Sequence, residues 1–428
     1  LTSPLPPTSS PAAPRKVAIV AGPDAGHAFP AFALAEKLAA QGISSTVWTG
    51  VVWHEVARSR GLDVAELPGL RALATDDDSD AGAKLAARAA RMAVALAPVL
   101  AARGTDLVIS DVITVGGLWA AELCGLPAIE MSPHPLYLPS RGLPPIGAGL
   151  SPGDGVGGRL RDIALRTASN VSVRAGERQR AAARRGIGLA GTRSGTARLI
   201  ATLPALEVPR PDWPPQAHIV GPLLWEPTDV IVEPPSGTGP LVVVAPSTAV
   251  IGAADMLAET LAGLSELASR SPVRVVISAL DPPGAAAFGA PGLSVTAGLG
   301  RQDQLVARAD VVVCGGGHGM LAKSLSAGVP VVTVPGGGDQ WELANRVARQ
   351  GSGLVVRPVE GHAIADAVAT VLGDPRYTRA AAAAAASMSD VVDPVRVACD
   401  VYRRSVAGSA LGRGDGYRTD GGEVPRCD

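Results

Sequence analysis

The sequence predicts an α/β protein built from two doubly wound, Rossmann-like domains. Three observations carry this. Short runs rich in valine and isoleucine recur along the chain, each passing into a tight loop, usually glycine-bearing, and then into residues at helical spacing. Examples are KVAIVAG (Lys16 to Gly22), LVVVA (Leu241 to Ala245) and DVVVC (Asp310 to Cys314). Such runs are the pattern of parallel strands buried on both faces, whose connections are helical crossovers. Between Ala309 and Arg349 the strand–glycine loop–helix unit occurs twice in tandem. A length of 428 residues, with 47% hydrophobic and 18% charged, gives each of two domains a core of its own.

Composition excludes several classes of function. A net charge of −1 leaves no electrostatic footprint for nucleic acid. The four cysteines (Cys124, Cys314, Cys399, Cys427) are scattered without metal-ligand spacing, which is the usage of a reduced cytosolic chain. No apolar stretch reads as a membrane span, because Arg88 and Arg91 interrupt the run from Leu85 to Leu100. Residues 1–14 are rich in Pro, Ser and Thr and read as a disordered leader.

In chain order, the first strand ends in Gly22-Pro23-Asp24-Ala25-Gly26-His27, and Phe32, Ala35, Leu38 and Ala39 then keep helical spacing. This loop is not G-x-G-x-x-G, and no P-loop sequence occurs, so dehydrogenase and nucleotide-hydrolase readings lose their main support. His27 matters more, since the C-terminal end of a first strand faces the ligand crevice in an open α/β sheet. Ser44 to Thr49 is a strand, and Trp48 and Trp53 read as core. The acidic stretch Thr75 to Asp80 lacks alternating ligand spacing and reads as a solvated loop. Residues 81–103 form one Ala-rich helix. DLVISD (Asp106 to Asp111) is a strand, and Asp111 at its end either accepts the Nδ1–H of a histidine or caps the next helix. Leu126 to Met131 is the next strand. A long Pro/Gly loop then runs to about Gly158, and its Met131, His134, Tyr137 and Leu138 are candidate ligand contacts.

Arg159 to Arg185 reads as a helix with a solvated basic face. Ala197 to Thr202 and His218 to Val220 are short strands. The first domain is expected over 15–221, a proline-rich linker over 222–239, and the second domain over 240–393. Strands at Leu241 to Ala245, Val273 to Ser278 and Leu293 to Thr296 precede the tandem unit. Ser247 and Thr248, after the first of these, are either helix-capping hydroxyls or anion contacts. In the tandem unit, Gly315-Gly316-Gly317-His318-Gly319 opens a helix. Backbone N–H groups and the helix dipole there form a candidate diphosphate cradle. A second loop, Gly336-Gly337-Gly338, places Asp339 and Gln340 beside whatever the phosphate carries. A closing helix is expected over 394–407, and disorder over 408–428.

The tandem unit resembles the donor signature of the GT-B glycosyltransferases of the UDP-glycosyltransferase type, including bacterial macrolide and antibiotic transferases. Gly328-Val329-Pro330, Asp339-Gln340 and Ala344 with Asn345 stand at matching places, as does the run Gly26-His27-x-x-Pro30. The resemblance implies a GT-B fold with the two domains facing across a cleft, and a hexosyltransferase that inverts its sugar. It implies His27 as general base oriented by Asp111, and a UDP- or dTDP-sugar held by Ser247, Thr248, Gln302, the 315–319 loop, Met320, Asp339 and Gln340. It also implies a small lipophilic acceptor, for which Met131, His134, Tyr137 and Leu138 are the candidate contacts, and no cofactor or metal. Gly315 and Met320 replace the family's histidine and threonine, and Leu299 its base-stacking aromatic. A sugar-nucleotide epimerase and a non-catalytic partner of the same fold are the alternatives.

Overall fold

The computed structural model describes residues 13–73, 79–191, 195–247, 252–282 and 291–412. The sequence through residue 12, most of the acidic stretch (74–78), Thr248, Cys427 and the tail beyond 412 lie outside the described residues.

The first domain runs β1 (Lys16–Val20), α1 (Ala25–Ala39), β2 (Ser44–Thr49), α2 (His54–Ser59), β3 (Asp63–Glu66), α3 (Ala81–Arg103) and β4 (Leu107–Asp111). It continues with α4 (Gly116–Leu123), β5 (Ala128–Ser132), α5 (Gly155–Gly186), β6 (Ala197–Ile200) and β7 (Ala217–Ile219). The second runs β8 (Leu241–Ala245), α6 (Met256–Ala268), β9 (Val273–Ser278), β10 (Leu293–Gly298), α7 (Gln302–Val306), β11 (Val311–Cys314) and α8 (His318–Ser326). It ends with β12 (Val331–Thr333), α9 (Asp339–Gln350), β13 (Gly353–Val355), α10 (Gly361–Gly373), α11 (Pro375–Ala386) and α12 (Pro394–Gly412). Two parallel sheets result, in the orders β3-β2-β1-β4-β5-β6-β7 and β10-β9-β8-β11-β12-β13.

The valine runs form strands because both faces of each sheet are covered. Along β1, Val17 and Ile19 enter one core with Phe32 and Leu34, while Ala18 and Val20 enter another with Leu96 and Leu100. Along β8, Val242 and Val244 face one way, and Leu241 and Val243 the other. The alternation is the two-residue period of a pleated strand, with apolar residues at every position.

Each sheet reverses its winding once, between β1 and β4 in the first and between β8 and β11 in the second. Crevices open at such switch points, at the C-terminal ends of the strands. The loops placed there are Gly22–Asp24 and the turn after Asp111 in one domain, and Ser247 and Gly315–Gly317 in the other.

Two segments join the halves. Residues 222–239 are not a loose tether: Leu223, Trp225 and Glu226 are buried. Trp225 packs on Phe29 and Phe32 and donates from Nε1 to Glu36 at 2.8 Å. Its neighbour Glu226 faces the second domain, pairing with Lys323 at 2.6 Å and accepting the Gln302 and Asp303 amides that open α7. The return crossing leads into α12, whose Val395, Ala398 and Val401 join the first domain's core. This helix continues to Gly412, past the expected end at residue 407. Gly221, at φ +75°, lets the crossings touch, since a Cβ there would meet Met388 Cε at 2.9 Å.

Among the described residues, α3 is long and apolar enough to cross a membrane. It packs instead on the first sheet and α4, burying Met92, Leu96 and Leu100.

Candidate active site

The first half of the site arises from strand register. β1 and β4 are parallel neighbours with Val20 opposite Ser110, so the loop after β1 and the last residue of β4 share one edge. Helix α1 starts at Ala25 and carries His27 in its first turn. Gly22 permits the approach, because a Cβ on it would lie 2.4 Å from Ile113 Cδ1. His27 Nδ1 and Asp111 Oδ2 are 2.7 Å apart, and Asp111 Oδ1 accepts the Ile113 amide at 2.9 Å. Asp111 is wholly buried, whereas the His27 side chain is 21% exposed. A buried carboxylate on Nδ1 fixes the tautomer and leaves Nε2 as the basic nitrogen.

Burial lowers the His27 pKa, but the hydrogen bond to Asp111, that carboxylate's charge, and the charges of Asp24 and Asp339 outweigh it. The net shift is upward from the ordinary histidine value. Asp339 belongs to the second domain, so its influence on His27 marks the cleft between them. The sign has two consequences. A base must be unprotonated, so kcat/KM should rise with pH through a pKa above about 6.5. Asp111→Asn should move that limb to lower pH. Stability should run the other way. The pair's contribution is fully present below the unfolded histidine pKa and is lost as pH rises through the folded one. Urea midpoints across the same pH range check this.

The second half is the loop after β11. Gly316 takes φ +77°, and a Cβ on Gly315 would lie 2.9 Å from Ser247 Cβ. Ser247 therefore occupies the space a side chain at 315 needs, which is the physical reason glycine stands where the resembling family carries histidine. Beside Gly317 and Gly319 no atom lies within 4 Å of an added Cβ, so the start of α8 faces open space. His318, the first residue of α8, pairs through Nε2 with Thr202 Oγ1 at 2.9 Å, across the cleft. Burial, aided by His134, pushes its pKa down to about 3. It is neutral at working pH, a hydrogen-bonding group and not a cation.

Other expected donor contacts have structural occupations. Gln340 is buried, with Nε2 donating to Ser247 Oγ at 2.8 Å and Oε1 accepting the Gly336 amide at 3.1 Å, so it braces the second glycine loop against the loop after β8. Gln302 Oε1 accepts from Lys323 Nζ at 3.0 Å, beside Glu226. Met320 is half-buried and packs against the core of Leu203, Leu206 and Leu321. Asp339 opens α9 after Gly338, which adopts φ +62°.

On the acceptor side one expectation is overturned. Met131 is wholly buried in the core with Ile19 and Leu199, because β5 continues to Ser132 between β4 and β6 and alternation turns residue 131 inward. His134 does reach the cleft. Its Nδ1 donates to the Pro135 carbonyl at 2.8 Å and burial lowers its pKa, leaving a neutral ring with Nε2 as acceptor. It stacks on Tyr137 at 4.2 Å, and Leu138 is 38% exposed beyond it.

Sequence reasoning missed the interdomain contacts. Arg346 on α9 bonds Glu342 at 3.1 Å and the Leu206 carbonyl at 2.9 Å, with Glu207 at 3.5 Å. Trp341 on α9 donates from Nε1 to the Ala148 carbonyl at 3.3 Å. Gly149 (φ +66°) is required beneath it, since a Cβ would lie 2.3 Å from Trp341 Nε1. The i, i+4 spacing of Glu342 and Arg346 was the one visible signal.

Comparison with known proteins agrees with this fold. The family described as Erythromycin biosynthesis protein CIII-like, C-terminal domain, matches residues 299–403. The 4'-demethylrebeccamycin synthase of Lentzea aerocolonigenes is 26% identical over 64% of this chain and 67% of its own length. The crystal structure of glycosyltransferase VinC in complex with dTDP superposes with a TM-score of 0.66, covering 92% of this chain and all of that one at 20% identity. The fold is GT-B, and the relatives that the sequence resembles are glycosyltransferases. The PGL/p-HBAD biosynthesis rhamnosyltransferase of Mycobacterium bovis is 33% identical over 43% of this glycosyltransferase, which spans only 40% of that relative's length. Among its described residues no group of three or more His, Cys, Asp or Glu is placed to hold a metal.

Proposed function

We propose that this glycosyltransferase moves a hexose, with inversion, from a UDP- or dTDP-sugar to a hydroxyl of a small lipophilic acceptor. The observation that carries the reading is the opposition of two switch-point loops: the His27–Asp111 pair at 2.7 Å in one domain and the open glycine turn before α8 in the other. In this reading His27 Nε2 takes the acceptor's hydroxyl proton as that oxygen attacks the anomeric carbon. The bond from that carbon to the diphosphate breaks, and its electron pair leaves on the diphosphate. Amides at the start of α8, the helix dipole and neutral His318 stabilise the departing charge. One displacement inverts the centre. The chemistry requires no resident cofactor. The dTDP in the VinC structure supports the choice of donor.

The test is a thermal-shift panel of UDP, dTDP and GDP on the full chain. UDP or dTDP is expected to raise Tm, by an amount that grows with concentration as RT ln(1 + [L]/Kd). No stabilisation by any nucleotide would favour a non-catalytic partner, with Ser247 filling the Gly315 position as its cause. Donor conversion without acceptor would favour an epimerase.

A further inference from the structure

Tyr137 carries a polar atom that the protein leaves unused. Its hydroxyl is buried and has no hydrogen-bond partner. The ring is firmly positioned. It stacks on His134 at 4.2 Å with an interplanar angle of 16°, and the Arg346 guanidinium lies 5.9 Å from its centroid. Both flanking residues are tied down: the Leu136 amide donates to Glu207 at 2.7 Å, and Arg210 donates to the Leu136 and Leu138 carbonyls at 2.6 and 2.8 Å. An unpaired buried hydroxyl carries an uncompensated desolvation cost, which phenylalanine would avoid in the same space. A fixed, unsatisfied donor in a cleft between two domains is a group that a ligand satisfies.

The charges around it indicate which ligand. Burial raises the Tyr137 pKa, and among its charged neighbours Asp339 acts most strongly, followed by Arg346 and Glu342. All three belong to α9 in the donor half, not to the acceptor side where the sequence reading placed Tyr137. The phenol stays protonated and donates, while a carboxylate accepts. Together they suit a sugar hydroxyl, which both accepts and donates.

We propose that Tyr137 is a donor-subsite residue, its O–H bonding a hydroxyl of the transferred hexose whose own proton is directed to Asp339. This rests on the glycosyl-transfer reading of the site. It makes a residue of the first domain a reader of the sugar carried by the second.

The test is calorimetric titration of wild type and Tyr137→Phe with UDP and UDP-glucose, and with dTDP and dTDP-glucose. Wild type should bind at least one nucleotide sugar more tightly than its nucleotide. The variant should keep its nucleotide affinity, lose about tenfold for the nucleotide sugar, and melt at the same or a higher temperature. Tyr137→Phe that retains the sugar increment overturns the proposal. So does a variant that melts lower and loses nucleotide and nucleotide sugar alike, since that is a packing role. A wild type that gains nothing from either glucose also overturns it. Failure of the underlying function looks different: neither nucleotide binds wild type at all.

Discussion

Replacing His27 with asparagine is expected to lower kcat by about 10²–10⁴-fold, the range a positioned general base contributes. Asparagine is the informative choice because its amide can still donate to Asp111, which is wholly buried and would otherwise lose the partner it holds at 2.7 Å. Folding and nucleotide affinity should therefore survive while proton removal does not. Single-turnover transfer and nucleotide titration, run on the same preparation, separate these effects. A variant that turns over at the wild-type rate ends the assignment of His27 as base. One that loses nucleotide affinity in parallel would show that the pair supports the fold more than the chemistry.

The second large effect is expected at Arg346. Its side chain is 4% exposed and answers two carboxylates, Glu342 and Glu207, that are 7% and 6% exposed. Arg346→Ala leaves Glu342 in the interior without its cation, and leaves Glu207 with Arg210 alone at 3.6 Å. Removing one partner of a buried pair typically costs about 3–5 kcal/mol, because the stranded charge keeps its desolvation penalty. Urea denaturation should show a correspondingly lower midpoint. Arg346→Lys should recover part of it, restoring charge without the planar fork. A midpoint unchanged by the alanine replacement would mean that solvent reaches the two carboxylates. Helix α9 also carries Asp339, so loosening it should weaken sugar-nucleotide binding more than nucleotide binding.

The two Rossmann-like domains were legible because their signal is local. A valine run such as Val311 to Val313 declares a strand buried on both faces within four residues, and the glycines after it declare the loop. The His27–Asp111 pairing was legible at one remove, since both residues lie at the ends of strands whose parallel neighbourhood a Rossmann order implies. Short elements escaped. β3 (DVAE) and β13 (GLV) are too brief and too mixed for periodicity to register, and α10 and α11 were not read as separate helices. Side-chain destinations escaped for another reason. Gln340 and Gln302 stand at motif positions, yet their amides are engaged by Ser247 and Lys323, residues 93 and 21 positions away. Met131 was misplaced by a single residue of strand length, enough to turn it from cleft to core. Contacts between domains, such as Thr202 with His318, depend on how two finished bodies meet, and no window of sequence contains that.

The adjacent Trp225 and Glu226 grip opposite bodies, and Gly221 brushes Met388 on the return crossing. Two covalent straps running side by side work like a pair of door pins. Such straps would oppose twist and sliding more than swing about the line that joins them. Substrate entry and product exit would then share one gesture, and its pivot is a single peptide unit between an indole and a carboxylate.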